Sequence, residues 1–218
     1  MLRLRNCSLV ISSEYVRVKV ELHCHTAPRS GCAECSADSL LDAYAMAGYH
    51  AVYLTDHDEV WPDDELDDLR SRHPGILIYP GIERSVGSEG YQHLLLLGTN
   101  NPEYLAIIDE VEILKKAREE DVLSILAHPF IAHDTYTMLQ KGLFPDTLEG
   151  RTGGHDVDQS AMSERIARKF KLKIINSGDA HSVEHVGRFW IETSVQLFRA
   201  ADIRGVVLGG HYQNYGQG

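Results

Sequence analysis

Short apolar runs that end in histidine, aspartate or glutamate recur along this chain, and that recurrence narrows its possible folds more than any other feature. Val16, Val18, Val20 and Leu22 alternate with other residues and end at His23 and His25, the pattern of a strand whose two histidines share a face. Ala51 to Leu54 ends in Thr55-Asp56-His57, and Ile76 to Tyr79 runs into Pro80-Gly81-Ile82-Glu83. Gln92 to Leu97 carries His93 near its start, Val122 to Ala127 ends at His128-Pro129, and Leu172 to Ile175 leads into Ser177-Gly178-Asp179-Ala180-His181. Helices are predicted over Ser39 to Ala47, Pro62 to Arg72, a long segment opened by Asn101-Pro102, and Ser160 to Lys171. A short strand is expected at Asp146 to Glu149 and a last one at Phe189 to Thr193, before a short helix near Ala200.

Alternating strand and helix signals mean βα units and a parallel sheet. About seven such strands fit a small or distorted βα barrel better than an open sheet, and polar residues just after strands mark where such folds build their sites. No repeat, low-complexity tract or linker divides the 218 residues, so one domain is expected over 1–218.

Composition removes several function classes. The longest apolar run, Leu94 to Leu97, is far below the ~18 residues of a membrane span, and the N-terminus lacks the apolar block of a signal peptide, so a cytoplasmic enzyme is expected. A net charge of −11 speaks against a long nucleic-acid track and against a membrane surface, while leaving room for a small anionic substrate focused by bound cations. Four cysteines, of which Cys32 and Cys35 have C-x-x-C spacing, are too few for a disulfide framework and read as a reduced loop pair. Twelve histidines outnumber seven lysines, and half of the twelve fall at the strand-associated positions above.

Imidazole and carboxylate are ligands of Zn, Mn and Fe, and a carboxylate can bridge two ions. H-x-H at His23 and His25, and D-x-H at Asp179 and His181, each put two ligand atoms on one strand face. With Asp56, His57, Glu83, His93 and His128 they form a pattern in six segments that predicts a polynuclear metal site.

Glu21-Leu22-His23-Cys24-His25-Thr26, Leu54-Thr55-Asp56-His57, Pro80-Gly81-Ile82-Glu83, Ala127-His128-Pro129 and Ser177-Gly178-Asp179-Ala180-His181 resemble, in order, the motifs of the PHP (polymerase and histidinol phosphatase) family, over about residues 18–195. The resemblance implies a distorted (β/α)7, TIM-like barrel with two or three divalent ions at the C-terminal strand ends, and metal-dependent hydrolysis of phosphate esters. It implies His23, His25, Glu83 and Asp179 around one ion, Glu83 bridging to a second held by His93 and His128, and His57 and His181 facing a third position. Three-metal members usually supply another histidine after H-x-H. Here the stretch from Thr26 to Asp38 holds only Arg29, Cys32, Glu34 and Cys35, so the third position is absent, weak, or completed by a thiolate or carboxylate of this loop. Amidohydrolase-type sites share H-x-H and the late Asp but commonly use a carboxylated lysine as bridge; no lysine closes a strand here, whereas Glu83 does.

The expected chemistry is attack on phosphorus by a metal-bridging hydroxide. Asp56, His57 and His181 are the catalytic candidates, the histidines as proton donors to the leaving group if the third position is empty and Asp56 alternatively as a carboxylate orienting a ligand histidine. Arg29, Arg84, Arg151, Arg188 and His133 are eligible to bind substrate phosphate. The expected substrate is a small phosphorylated molecule of the nucleotide, sugar or histidinol phosphate class. The alternatives are an exonuclease or phosphodiesterase on short single strands, and a non-catalytic metal-binding regulatory domain.

Overall fold

In chain order, the computed structural model, which describes residues 17–87, 90, 92–131 and 137–217, runs β1 (Val18–Glu21), α1 (Ala37–Met46), β2 (Ala51–Leu54), α2 (Asp63–Arg72), β3 (Leu77–Val86), β4 (Gln92–Leu97), α3 (Glu103–Ala106), α4 (Glu110–Glu119) and β5 (Leu123–Ala127). It continues through α5 (Thr137–Gln140), β6 (Thr147–Glu149), α6 (Val157–Phe170), β7 (Lys173–Ile175), β8 (Phe189–Thr193), α7 (Asp202–Gly209) and β9 (Tyr212–Gly216). Local chemistry sets the helix starts. Ser36 caps α1 by accepting from the Ser39 N–H, and Asp156 and Gln159 form a reciprocal capping box at α6. Asp63, Asp64 and Glu65 lie in the first turn of α2 and Arg70 and Arg72 in its last, the arrangement a helix dipole favours.

The strands form one mixed sheet in the order β7-β6-β5-β4-β3-β2-β1-β8-β9, curled into a nearly closed barrel. β1, β2 and β3 pair in parallel, as do β5, β6 and β7. The all-parallel expectation is corrected in two places. β4 is antiparallel to both β3 and β5, because the link from Val86 to Gln92 is too short for a crossover. β8 runs antiparallel to β1, and β9, five largely polar residues at the sheet edge, pairs antiparallel with β8. The expected long helix after Pro102 is two helices: Ile107 takes an extended ψ of 126°, and Asp109 caps α4 by accepting from the Val111 N–H.

Side chains alternate across the barrel wall. Val18, Val20, Ala51, Tyr53, Leu95, Leu97, Ile125 and Ile191 face inward and are sealed by Ile203, Val206 and Val207 of α7. Outward, Val52, Leu54 and Ile78 pack on α1 and α2, and Leu94, Leu96 and Leu126 on α4 and α6. This double burial is why the strands read as continuous apolar runs.

The barrel closes differently at its two ends. Beyond β1 and β7, Cys24 bridges Ala180, with the His25 N–H donating to the Ala180 carbonyl at 2.9 Å and the Ala180 N–H to that of His23 at 3.3 Å. At the other end, side chains of β9 span the seam: Asn214 Nδ2 donates to the Ile174 carbonyl at 2.9 Å and the Tyr212 hydroxyl to the same oxygen at 2.8 Å.

Candidate metal centre

Backbone pairing at the first of these ends gathers the ligand-type residues. His23 and His25 leave β1 on one face, Glu83 lies on the inward face of β3, and His128 and Asp179 follow β5 and β7. The reversed direction of β4 explains why His93 begins its strand rather than ending it: its antiparallel register sets it beside Ser85 and Ala127, level with the other ligands.

Glu83 is the centre. Its side chain is wholly buried, and its two oxygens face different partners. Oε1 lies 2.8 Å from His93 Nδ1 and 2.8 Å from His128 Nε2. Oε2 lies 3.2, 3.1 and 3.0 Å from ring nitrogens of His23, His25 and His57. Asp179 Oδ1 sits 3.4 Å from His23 Nε2 and 3.3 Å from His25 Nε2, and those two nitrogens are 3.0 Å apart. Four overlapping sets of donor atoms, each within 4.8 Å of one another, follow: His23, His25 and Asp179; His23, Glu83 and His128; His57, Glu83 and His93; and His25, Cys32, His57 and His181.

This donor set fits divalent cations. Glu83 Oε2 and Asp179 Oδ1 are buried with no hydrogen-bond partner, and both point at imidazole nitrogens that crowd the same small space. Buried charge of this kind is tolerated when it is paired or coordinates a metal. Without cations, protons must serve. Burial pushes His23, His25 and His128 down, but Glu83, Asp179 and Glu149 outweigh it at His23, as do Asp179 and Glu83 at His25 and Glu83 and Asp179 at His128, so all three are raised. Burial likewise favours the neutral carboxyl at Glu83 and Asp179, yet His23 with His128 and His25 holds both well below the carboxylate range. His57 behaves oppositely: burial, with the imidazoles of His25, His93 and His23, drives it down to about 4 against the pull of Glu83. Burial also lowers His181, against Asp179.

Supporting groups fix these side chains. Glu149, which closes β6, accepts from His23 Nδ1 at 2.8 Å and from the His128 N–H at 2.5 Å, and takes the Ser177 hydroxyl as well. It thereby turns His23 Nε2 toward the donor cluster. Glu21 Oε1 accepts the N–H groups of Leu22, His23 and Gly178 at 2.9, 3.1 and 2.7 Å, joining the first ligand segment to the last. A Cβ at Gly178 would lie 2.5 Å from Glu21 Oε2, so only glycine admits this approach.

Asp56 accepts from Thr26 N and Oγ1 at 2.7 and 2.8 Å, from Ser30 Oγ at 2.6 Å and from Trp61 Nε1 at 2.9 Å. Both its oxygens are engaged, and it reaches the histidines through Ser30, whose Oγ lies 3.2 Å from His25 Nδ1. Asp56 is thus placed as a positioning carboxylate. Among the arginines, Arg29 is held by Glu59 and Glu65 and stacks 4.2 Å from the Trp61 ring. Arg84 is held by Asp58 and donates to the carbonyls of Tyr104 and Ile107 at 3.0 and 3.2 Å. Arg151 lies over Phe189 at 5.7 Å, and Arg188 is exposed. The structure brings none of the four into the histidine cluster, and His133 lies outside the described residues. Sequence reading missed Ser30 and the full reach of Glu149; the position of Glu149 at a strand end was the available signal. No helix among the described residues is long and apolar enough to cross a membrane.

A family described as PHP-associated matches residues 159–209. No curated protein matches the chain. Among solved structures, the chain is similar to a two-domain Bacteroides vulgatus protein containing a predicted PHP-like metal-dependent phosphoesterase, at 15% identity and a TM-score of 0.69, covering 93% of this chain and 66% of that one. It is similar to an amidohydrolase from Chromobacterium violaceum with bound sulfate and no metal, at 15% identity and a TM-score of 0.63, covering 89% and 97%. It is also similar to a lesion-specific endonuclease from Pyrococcus furiosus, at 18% identity and a TM-score of 0.66, covering 91% and 58%. The chain thus spans less than two thirds of the Bacteroides and Pyrococcus chains. These identities carry the fold alone, and the three proteins are named for different reactions. The chain is thus similar to PHP-associated sequences over residues 159–209 and shares its fold with a PHP-like protein.

Proposed function

We propose that the chain is a metal-dependent phosphoesterase that acts on a small phosphorylated molecule of the nucleotide, sugar or histidinol phosphate class. The observation that carries this reading is Glu83, whose two oxygens each face a separate group of imidazoles inside one buried cluster, the arrangement a bridging carboxylate needs. Zn, Mn or Fe ions held there would supply a water that ionises near neutrality and positive charge for phosphoryl oxygens. His23, His25 and Asp179 would hold one ion, and His93 and His128 a second, with Glu83 shared.

The chain's own groups do the rest. His57 and His181 have side chains 30% and 26% exposed, at the mouth of the cluster, and would pass a proton to a leaving alkoxide when no cation lies between them. The wholly buried His23 and Glu83 sit beneath them and keep solvent from the ligand atoms. Of the four arginines singled out by sequence, Arg29 and Arg84 are engaged by carboxylates, so a guanidinium grip on phosphate would fall to the exposed Arg151 or Arg188, reaching in from outside the histidine cluster.

Comparing release of phosphate from a mononucleotide, a sugar phosphate and histidinol phosphate with cleavage of a labelled oligonucleotide, on protein loaded with Zn, Mn or Fe, tests the proposal. Turnover of one of the monoesters above the polymer is expected. Preference for the oligonucleotide would overturn the substrate class, and no hydrolysis of any phosphoester by protein that retains its ions would overturn the activity.

A further inference from the structure

One donor set reaches beyond the two positions around Glu83, and it includes a sulfur. Cys32, His57 and His181 offer ligand atoms within 4.8 Å of one another, at the mouth of the cluster. His25 also belongs to this set, but its Nε2 is directed at Glu83 and Asp179 and its Nδ1 at Ser30, whereas His57 turns Nδ1 to Glu83 at 3.0 Å and keeps Nε2 as a second ring donor. We propose that Cys32 ligates a third cation as a thiolate, with His57 and His181, and that this makes the mouth position selective for a thiophilic ion such as Zn2+ over Mn2+ or Mg2+. The proposal rests on the phosphoesterase reading and specifies the metal chemistry of the same site.

Three observations place the thiol. The loop bearing it is tied down on both sides of Cys32. Ser30 N–H donates to Thr26 at 2.9 Å, Ala33 N–H to Ser30 at 3.0 Å, and Glu34 N–H to the carbonyl of His181 at 2.8 Å. Ser30 is itself anchored on Asp56 at 2.6 Å. The tie from Glu34 to His181 fixes the sulfur's loop to a residue of the same donor set. Among the described residues the neighbouring thiol, Cys35, belongs to no such set and packs instead against the apolar cluster of α1 and α2. The two cysteines therefore have separate surroundings despite their C-x-x-C spacing.

The chemistry follows from ligand softness. A thiolate with two imidazoles suits Zn2+ and other borderline ions, whereas Mn2+ and Mg2+ prefer oxygen donors such as carboxylate and water. Binding would expel the thiol proton, so a cation at this position is bound in exchange for it.

The test is cobalt(II) titration of the full chain, followed by near-ultraviolet absorption and by counting ions per protein. Sulfur-to-cobalt charge transfer is expected in the native protein and in Cys35→Ser. It should be lost in Cys32→Ser together with one ion per chain. Cys32→His should regain that ion without the absorption. Unchanged absorption and ion count in Cys32→Ser would overturn the proposal and leave the phosphoesterase reading standing if the remaining ions still support hydrolysis. A native protein that takes up no cobalt and hydrolyses no phosphoester would overturn both.

Discussion

The deep and shallow halves of the histidine cluster contain the same residue types and do opposite things with charge. In the deep half, His23, His25 and His128 are buried against Glu83, Glu149 and Asp179, and the carboxylates win over burial and raise all three imidazoles. In the shallow half, His57 and His181 are partly exposed, yet burial and neighbouring imidazoles win and lower both. The difference teaches that the balance of carboxylates against imidazoles around a ring, rather than its distance from one oxygen, decides which histidines hold protons: His57 lies 3.0 Å from Glu83 Oε2 but faces that one carboxylate against three imidazoles. Deep groups are held in place by paired charge, so disturbing them should cost folding stability. Shallow groups carry neutral rings toward solvent and should be nearly free to change.

Stability of the metal-stripped protein, measured by denaturant unfolding, separates the halves. The largest effect is expected for Glu83→Ala, which leaves five imidazoles without their common partner: about 3–5 kcal/mol lost, with loss of bound ions and of hydrolysis. A stable variant that still binds its ions would break the comparison at its centre.

The next effect is a pH dependence. Burial raises Glu21 from 4.5 to about 7 despite its three N–H donors. The folded chain therefore keeps a proton that the unfolded chain has lost, and stability should fall by about 3 kcal/mol as pH rises from 4.5 through 7. His23, His25 and His128, raised in the folded state, act in the same direction: their contribution is full below about 6.5 and disappears as pH climbs through their folded values. Lowered Glu83 and Asp179 act only in acid, where stability falls as they are protonated. Glu21→Gln should flatten the decline between pH 4.5 and 7; an unaltered slope would remove Glu21 from the account.

Glu149→Ala should cost about 1–3 kcal/mol by unpairing His23 Nδ1 and the His128 N–H. Metal affinity should fall about 10–100-fold in titrations, as expected for a group that orients a ligand. The smallest stability effect belongs to the shallow half. His181→Asn should stay within about 0.5 kcal/mol of the parent while turnover drops, and a destabilisation matching that of Glu149→Ala would erase the distinction between the halves.

Much of this site was legible because βα architecture converts spacing into position. H-x-H after β1, Glu83 after the Pro-Gly of β3, and Asp179 after β7 could be assigned to one rim without coordinates. The antiparallel strands were not legible, since an apolar run such as Leu94 to Leu97 carries no direction, and only the shortness of the link before Gln92 hinted at a hairpin. β9 was missed because Tyr212–Gly216 is polar and glycine-ended, stabilised by an edge and by seam hydrogen bonds rather than by apolar alternation. The split between α3 and α4 was hidden by helical spacing that continues across Ile108, although that residue is 87% exposed. Engagement of Arg29 and Arg84 by carboxylates was equally invisible, because the partners Glu59, Glu65 and Asp58 are distant in sequence from those arginines.

The contact between the Gly178 N–H and Glu21 spans 157 positions of the chain. The first and last ligand segments are thus locked together by a bond that forms only when the barrel has come full circle. A fragment ending before β7 lacks Asp179, His181 and the strand edge that steadies His23 and His25. The donor atoms of the candidate metal centre are therefore complete only in a chain whose two ends have met across the sheet.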